Sequence, residues 1–253
     1  MLKRLRKSIQ PASPRGSIPE GLRLYAVGDV HGRIDLLDML LDLMTRDDAQ
    51  RGAAEPQLIF LGDLIDRGPD SAAVVDRVIQ IKRELPTTRM LMGNHEEVFV
   101  KALRGDERAL RFFCKIGGRE TILSYGITED IYNKLDYPDL MVALQESVPE
   151  EHLAFLGSFE DMVIAGDYAF VHAGIRPDVA LADQKPSDLR WIRESFLDHA
   201  APHERIIVHG HSISAEVEMR PNRIGIDTGA YASGRLTALG LQGADTWQIA
   251  AQL

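Results

Sequence analysis

The chain has 253 residues with 38 acidic residues against 29 lysines and arginines, a net charge of −9, and a 45% hydrophobic content that can bury a full core. The acidic balance excludes a surface built to hold a nucleic-acid backbone, and a single cysteine, Cys114, excludes an internal disulfide and a zinc site made of thiolates. No apolar run approaches the roughly 18 residues of a membrane span, and the basic start lacks the apolar core of a secretory signal, so a cytoplasmic protein is expected.

Residues 1–20 carry Lys3, Arg4, Arg6, Lys7 and Arg15 together with Pro11, Pro14 and Pro19, a composition that suits a mobile basic arm ahead of one domain over 21–253. The first apolar run, Leu22 to Val27, ends in Gly28-Asp29-Val30-His31-Gly32. Ile34, Leu36, Leu37, Leu40, Leu41 and Met44 then recur at helical spacing with Asp35, Asp38 and Asp42 opposite, which predicts an amphipathic helix. A second strand, Leu58 to Leu61, runs into Gly62-Asp63-Leu64-Ile65-Asp66-Arg67-Gly68, and Pro69-Asp70-Ser71 starts a second helix. A third strand, Met90 to Met92, runs into Gly93-Asn94-His95-Glu96. Strand, helix, strand, helix, strand is the pattern of a parallel βαβαβ unit, whose ligands collect outside the carboxyl ends of the strands, where all three glycine turns fall.

From about 97 to 157 the pattern is helical and irregular and reads as a helical insertion beside the site. Strands return with a hairpin over Met162 to Val171 that ends in His172-Ala173-Gly174, and with Arg205 to Val208, which ends in His209-Gly210-His211. Two further antiparallel pairs are predicted, one from Glu216 to Asp227 turning at Pro221-Asn222, the other from Arg235 to Ile249. The fold class is therefore α/β, two mixed sheets flanked by helices with one helical insertion.

Collected from the strand ends, Asp29, His31, Asp63, Asn94, His172 and either His209 or His211 offer carboxylate, imidazole and amide donors. That set suits Mn, Fe or Zn and is large enough for two ions sharing one carboxylate. Two ions about 3.5 to 4 Å apart polarise a phosphoryl group, turn a shared water into hydroxide and stabilise the attacking and leaving oxygens together, which is the chemistry of phosphoester hydrolysis.

These residues resemble the phosphoprotein phosphatases within the calcineurin-like metallophosphoesterases: Gly-Asp-Val-His-Gly at 28–32, Gly-Asp-Leu-Ile-Asp-Arg-Gly at 62–68, Gly-Asn-His-Glu at 93–96, His-Ala-Gly at 172–174 and Gly-His at 210–211, in the family's order. Ile226-Asp227-Thr228-Gly229-Ala230 is similar to the small bacterial and phage members, the bacteriophage lambda protein phosphatase among them. The resemblance implies that Asp29 and His31 bind one of two divalent ions, that Asp63 bridges, and that Asn94, His172 and His211 complete the second ion, with Mn²⁺ expected in vitro. It also implies His95 as the acid that protonates the leaving oxygen, Asp66 as the carboxylate that orients it, and Arg67 and Arg193 as phosphate contacts. His209 departs from the family and is expected to face solvent or to support a ligand.

A phosphatase acting on phosphoserine or phosphothreonine in a protein or peptide is the expected activity. Hydrolysis of diadenosine tetraphosphate, a dinucleoside polyphosphate, on the same metal centre is the alternative. Asp66 and Glu96 favour the first, because the second branch usually departs at those positions. A non-catalytic scaffold would be expected to have lost ligands, and here every ligand position is filled.

Overall fold

A computed structural model describes residues 16–253. The apolar run at 22–27 forms β1 (Leu22–Val27), the amphipathic segment α1 (Ile34–Gln50), and then β2 (Glu55–Phe60), α2 (Ser71–Glu84) and β3 (Arg89–Met90) follow. β1, β2 and β3 pair in parallel, as the glycine-ended runs predict. β3 stops at Met90, two residues short of the expected strand. The Leu91 N–H still bonds Phe60 O at 2.9 Å, but the outer edge is taken by Glu160, whose carbonyl accepts the Met92 N–H at 2.7 Å while its own N–H reaches Met90 O at 2.9 Å.

The helical insertion opens at Asn94, a few residues before the expected start. It comprises α3 (Asn94–Leu103), α4 (Glu107–Ile116), α5 (Gly118–Ser124), α6 (Glu129–Lys134), α7 (Tyr137–Ser147) and α8 (Glu150–Leu156). Then come β4 (Met162–Ala165), β5 (Tyr168–Val171), a 3-10 turn at Leu181–Asp183, α9 (Pro186–Trp191), α10 (Glu194–Leu197), β6 (Ile206–His209), β7 (Glu218–Met219), β8 (Arg223–Gly225), α11 (Ala230–Ser233), β9 (Arg235–Gln242) and β10 (Asp245–Gln252). The first sheet has the order β10-β9-β1-β2-β3 and the second β4-β5-β6-β8-β7. The three expected antiparallel pairs are β4 with β5, β7 with β8 and β9 with β10.

Strand alternation sends side chains of one strand to two different cores. Leu24 and Ala26 of β1 meet Phe170, Val208 and Ile224 of the second sheet, so the two sheets bury one another. Tyr25 and Val27 face the other way, onto α1, α2 and the insertion. On the far side of the second sheet, Ala169, Val171 and Ile207 pack on Leu189, Ile192 and Phe196. Each large apolar side chain buried this way contributes on the order of 1.5–3 kcal/mol. The result is two central sheets with helices outside each, and the strand ends of both sheets are held rigidly side by side.

The basic arm expected over 1–20 falls largely on residues 1–15, outside the described residues. From Gly16 onward the expectation does not hold. Ile18 is buried in the core between the sheets, its N–H bonds Gly243 O at 2.9 Å, and the Asp167 N–H bonds Ser17 O at 2.8 Å. Cys114 is a half-buried free thiol beside the core of the insertion. Among the described residues no helix is long and apolar enough to cross a membrane.

Candidate metal centre

All six proposed ligands lie just past or at the carboxyl ends of parallel strands. Asp29 and His31 follow β1, Asp63 follows β2, Asn94 follows β3, His172 follows β5 and His211 follows β6. The turns that present them are tight. Six non-glycine residues among those described have left-handed backbone, and five of them are His31, Asp63, Asp66, Arg67 and His211, at φ of 46°, 51°, 74°, 70° and 62°. Each such conformation costs on the order of 1 kcal/mol or more, and strain of this kind gathers where a side chain must be aimed. Gly93 shows why the third turn needs glycine: a Cβ there would lie 2.2 Å from Asp63 Oδ1.

Asp63 Oδ2 is the hub. It lies 3.4 Å from His172 Nε2, 3.7 Å from His31 Nε2 and 3.8 Å from His95 Nε2. Donor atoms of His31, Asp63 and His95 form one group within 4.8 Å of one another, and those of Asp63, His172 and His211 form a second, so Asp63 is common to both. Asn94 Oδ1 joins the second at 3.1 Å from His172 Nε2. Asp29 stands against the same cluster, its two oxygens accepting the His211 N–H at 3.2 and 3.0 Å.

The imidazoles are held as ligands must be. His31 Nδ1 donates to Ile65 O at 2.7 Å and His172 Nδ1 to Leu61 O at 2.8 Å, which leaves both Nε2 lone pairs turned inward. His211 Nε2 is buried without any partner among the described residues. An orphaned imidazole nitrogen beside a shared carboxylate fits a divalent cation, as does a donor set of oxygen and nitrogen with no sulfur.

Electrostatics agree at His31 and His211, whereas at His172 burial is outweighed by Asp63, which raises the imidazole above its ordinary value. Burial lowers His31 to about 3, and burial together with His172 lowers His211 to about 2, so both are neutral lone-pair donors at physiological pH. Burial pushes Asp63 up, but His172 and His95 outweigh it and hold the carboxyl well below its usual range. Burial and then Asp227 and Asp63 raise Asp29.

His95 is tied differently. Its Nδ1 donates to Asp66 Oδ2 at 2.5 Å, and although burial opposes its charged form, Asp63 and the bond to Asp66 raise it above the ordinary imidazole value. Arg67 spreads its guanidinium fork over the cluster, 2.8 Å from His31 Nε2 and 3.0 Å from His95 Nε2, with the Tyr231 ring 4.9 Å beneath it. Arg193 is exposed between α9 and α10, and its charge acts on His211 from the rim. His209 does not face solvent. It is buried, with Nδ1 donating to Gly210 O at 3.0 Å and Nε2 accepting from Arg223, and its ring meets the Phe196 edge.

Four residues of the site were missed by sequence reasoning or left without a role. Thr121, from the insertion, donates to Asp66 Oδ1 at 2.6 Å and accepts the Asp66 N–H at 2.9 Å, with the Ser71 hydroxyl 2.9 Å away. Gly117 O accepts the Arg67 N–H at 3.0 Å. The insertion thus pins two of the three strained residues of the second turn, Asp66 and Arg67. Glu96 Oε2 accepts from Asp63 N and Gly93 N, and Oε1 from Leu64 N and Ile65 N, so it braces the second turn against the third. Burial and Asp63 push its carboxyl up to about 7, against the pull of His172, the Asp63 N–H and His95. Asp227 lies in a motif already singled out but carried no assignment; Thr121 left no signal at all, since only the folded insertion brings it to Asp66.

The sequence profile of calcineurin-like phosphoesterases matches residues 22–236. A bis(5'-nucleosyl)-tetraphosphatase of the asymmetrical type, PrpE, from Anoxybacillus flavithermus is 27% identical over 84% of this chain and 88% of its own length. A symmetrical bis(5'-nucleosyl)-tetraphosphatase from Cellvibrio japonicus is 33% identical over 62% of this chain, which spans only about half (48%) of that relative. A crystal structure of a proposed diadenosine tetraphosphatase superposes with a TM-score of 0.64 at 19% identity, over 95% of this chain and 99% of the other, a likeness of fold.

Proposed function

Since the chain belongs to the calcineurin-like phosphoesterase family, we propose that its metal centre hydrolyses the polyphosphate chain of bis(5'-nucleosyl) tetraphosphates. The observation that carries this reading is the near full-length likeness to a relative of that name, over 84% of this chain. It replaces the protein phosphatase expected from the motifs as the first choice.

Asp29 and His31 on one side, Asn94, His172 and His211 on the other, and Asp63 between them would hold two divalent ions. Bound there, such ions would acidify an attacking water and would set positive charge against the phosphoryl oxygens. Arg67, its fork already directed across the cluster, clamps the remaining oxygens, a contact that strengthens as charge develops. Tyr231, half-buried beside Arg67 and His31, adds an aromatic surface of the kind on which bases stack. His95 presents Nε2 to the leaving oxygen while Asp66 fixes the ring through Nδ1. A cytoplasmic setting suits both a nucleotide substrate and a chain with one cysteine.

A second reading, hydrolysis of phosphoserine or phosphothreonine, is favoured by the His95–Asp66 pair. A serine alkoxide leaves poorly without a proton, whereas a nucleotide phosphate leaves readily, so an oriented acid is worth more on the first. Glu96 does not favour either reading, because its carboxylate is spent on four backbone N–H groups and none of it is left for substrate.

Diadenosine tetraphosphate and a phosphoserine peptide, assayed side by side with Mn²⁺, test the choice. A kcat/KM at least tenfold higher for the dinucleotide is expected, with chromatography of the nucleotides showing which bond breaks. The reverse ratio would install the protein phosphatase reading, and no turnover of either would overturn both.

A further inference from the structure

We infer that Asp227 is a seventh residue of the metal centre, its free carboxylate oxygen serving the ion held by Asp29 and His31. Asp227 is placed there by the second sheet. β6 and β8 run in parallel with His209 opposite Gly225, and the pairing closes with the Ile226 N–H on His209 O at 2.9 Å. Two residues further along each chain, His211 and Asp227 come out at the same level. Beyond them the Ser214 N–H bonds Asp227 O at 3.0 Å, tying the loop after His211 to Asp227 itself. From the other sheet the Asp29 turn arrives so closely that a Cβ on Gly28 would stand 2.8 Å from Ile226 O.

The carboxylate is only half used. Oδ1 accepts the Gly229 N–H at 2.9 Å, while Oδ2 is buried without a partner among the described residues, in a side chain 1% exposed. A turn that needed no more than an acceptor for Gly229 would be served as well by asparagine, with no charge to bury. A buried carboxylate beside two others costs several kcal/mol unless a cation meets it. The charges that act on Asp227 are those of the centre: Asp63, His172 and Arg67, and Asp227 is in turn the strongest charge acting on Asp29. Three buried carboxylates whose charges act on one another, beside an orphaned imidazole nitrogen and the half-buried Arg67, form a set whose repulsion is relieved by divalent cations.

Asp227→Asn keeps the shape and leaves an amide oxygen for Gly229 N–H, and removes the charge. Mn²⁺ is titrated calorimetrically into the full chain after chelation, and Tm is read with and without Mn²⁺. One of two binding steps should weaken by roughly 10- to 100-fold, the range found for residues that support a metal ligand, and it should be the step also lost in His31→Asn. The chelated variant should melt above chelated wild type, since repulsion is removed, while the rise in Tm on adding Mn²⁺ should shrink. Asp227→Ser, which also keeps an oxygen for Gly229, is measured beside it so that a folding failure in one variant leaves the other to decide. Two Mn²⁺ bound with wild-type affinities and a wild-type rise in Tm would overturn the inference. Substrate plays no part in these readouts, so they stand apart from the outcome with dinucleotide or phosphopeptide.

Discussion

Thr121→Val removes one hydroxyl and almost no volume from a site 0% exposed, and it should be felt at His95 through Asp66. The lost hydroxyl gives up a 2.6 Å bond to Asp66 Oδ1 and a 2.9 Å contact with the Asp66 N–H. A hydrogen bond to a buried carboxylate is worth on the order of 1.5–3 kcal/mol, and Ser71 Oγ, 3.0 Å from the Asp66 N–H, retains part of it. Stability should therefore fall by about 1–2 kcal/mol. If the same energy holds the carboxylate against His95 Nδ1, then at about 1.4 kcal/mol per decade kcat falls roughly 10-fold on substrates whose leaving group needs a proton. The assay compares phenyl phosphate, a poor leaving group, with p-nitrophenyl phosphate, a good one. The loss should be large on the first and small on the second, and Thr121→Ser should restore both. A uniform loss on the two esters, or none, would refute the chain of contacts from the insertion to the acid.

Arg67→Ala should raise KM and lower kcat together, because its fork would grip the phosphoryl oxygens more tightly as charge develops; Arg193→Ala, from the rim, should act in the same direction more weakly, and unchanged kinetics would return Arg193 to the surface. His209 sets a pH dependence. Burial lowers it to about 4 in the fold from the ordinary 6.5, so the unfolded chain alone takes up its proton between those values. The stability His209 contributes is complete above pH 6.5 and is lost as pH falls toward 4, by about 3 kcal/mol in all. The difference in unfolding free energy between chelated wild type and chelated His209→Gln should shift by that amount over that window, and a constant difference would contradict a neutral buried imidazole.

The first sheet was legible because its three parallel strands are apolar runs that stop at glycine, and its crossover helices repeat apolar residues at 3.6 spacing. β3 was overdrawn because Leu91 and Met92 are as apolar as Met90, and nothing local says that Glu160 will pair with them. Ile18 gave no warning that the chain is already packed, being one apolar residue among prolines and basic side chains. The six proposed ligands could be read because each follows a strand end directly. Thr121 and Asp227 could not be read as site residues, since their places rest on closures across 55 residues of sequence in one case and between two sheets in the other. His209 and His211 were separated by motif position alone. In the fold the separation is physical: His209 Nε2 is taken by Arg223 and the core, while His211 Nε2 has no partner among the described residues.

The most direct measurement is the metal stoichiometry of the full chain and of Asp63→Asn after chelation and reloading with Mn²⁺, read by elemental analysis and by calorimetric titration. Asp63 Oδ2 stands between both groups of donors, so wild type should load two ions per chain and Asp63→Asn should weaken both steps and lose hydrolysis with them. Two ions held by Asp63→Asn with wild-type affinity would contradict a centre bridged by Asp63.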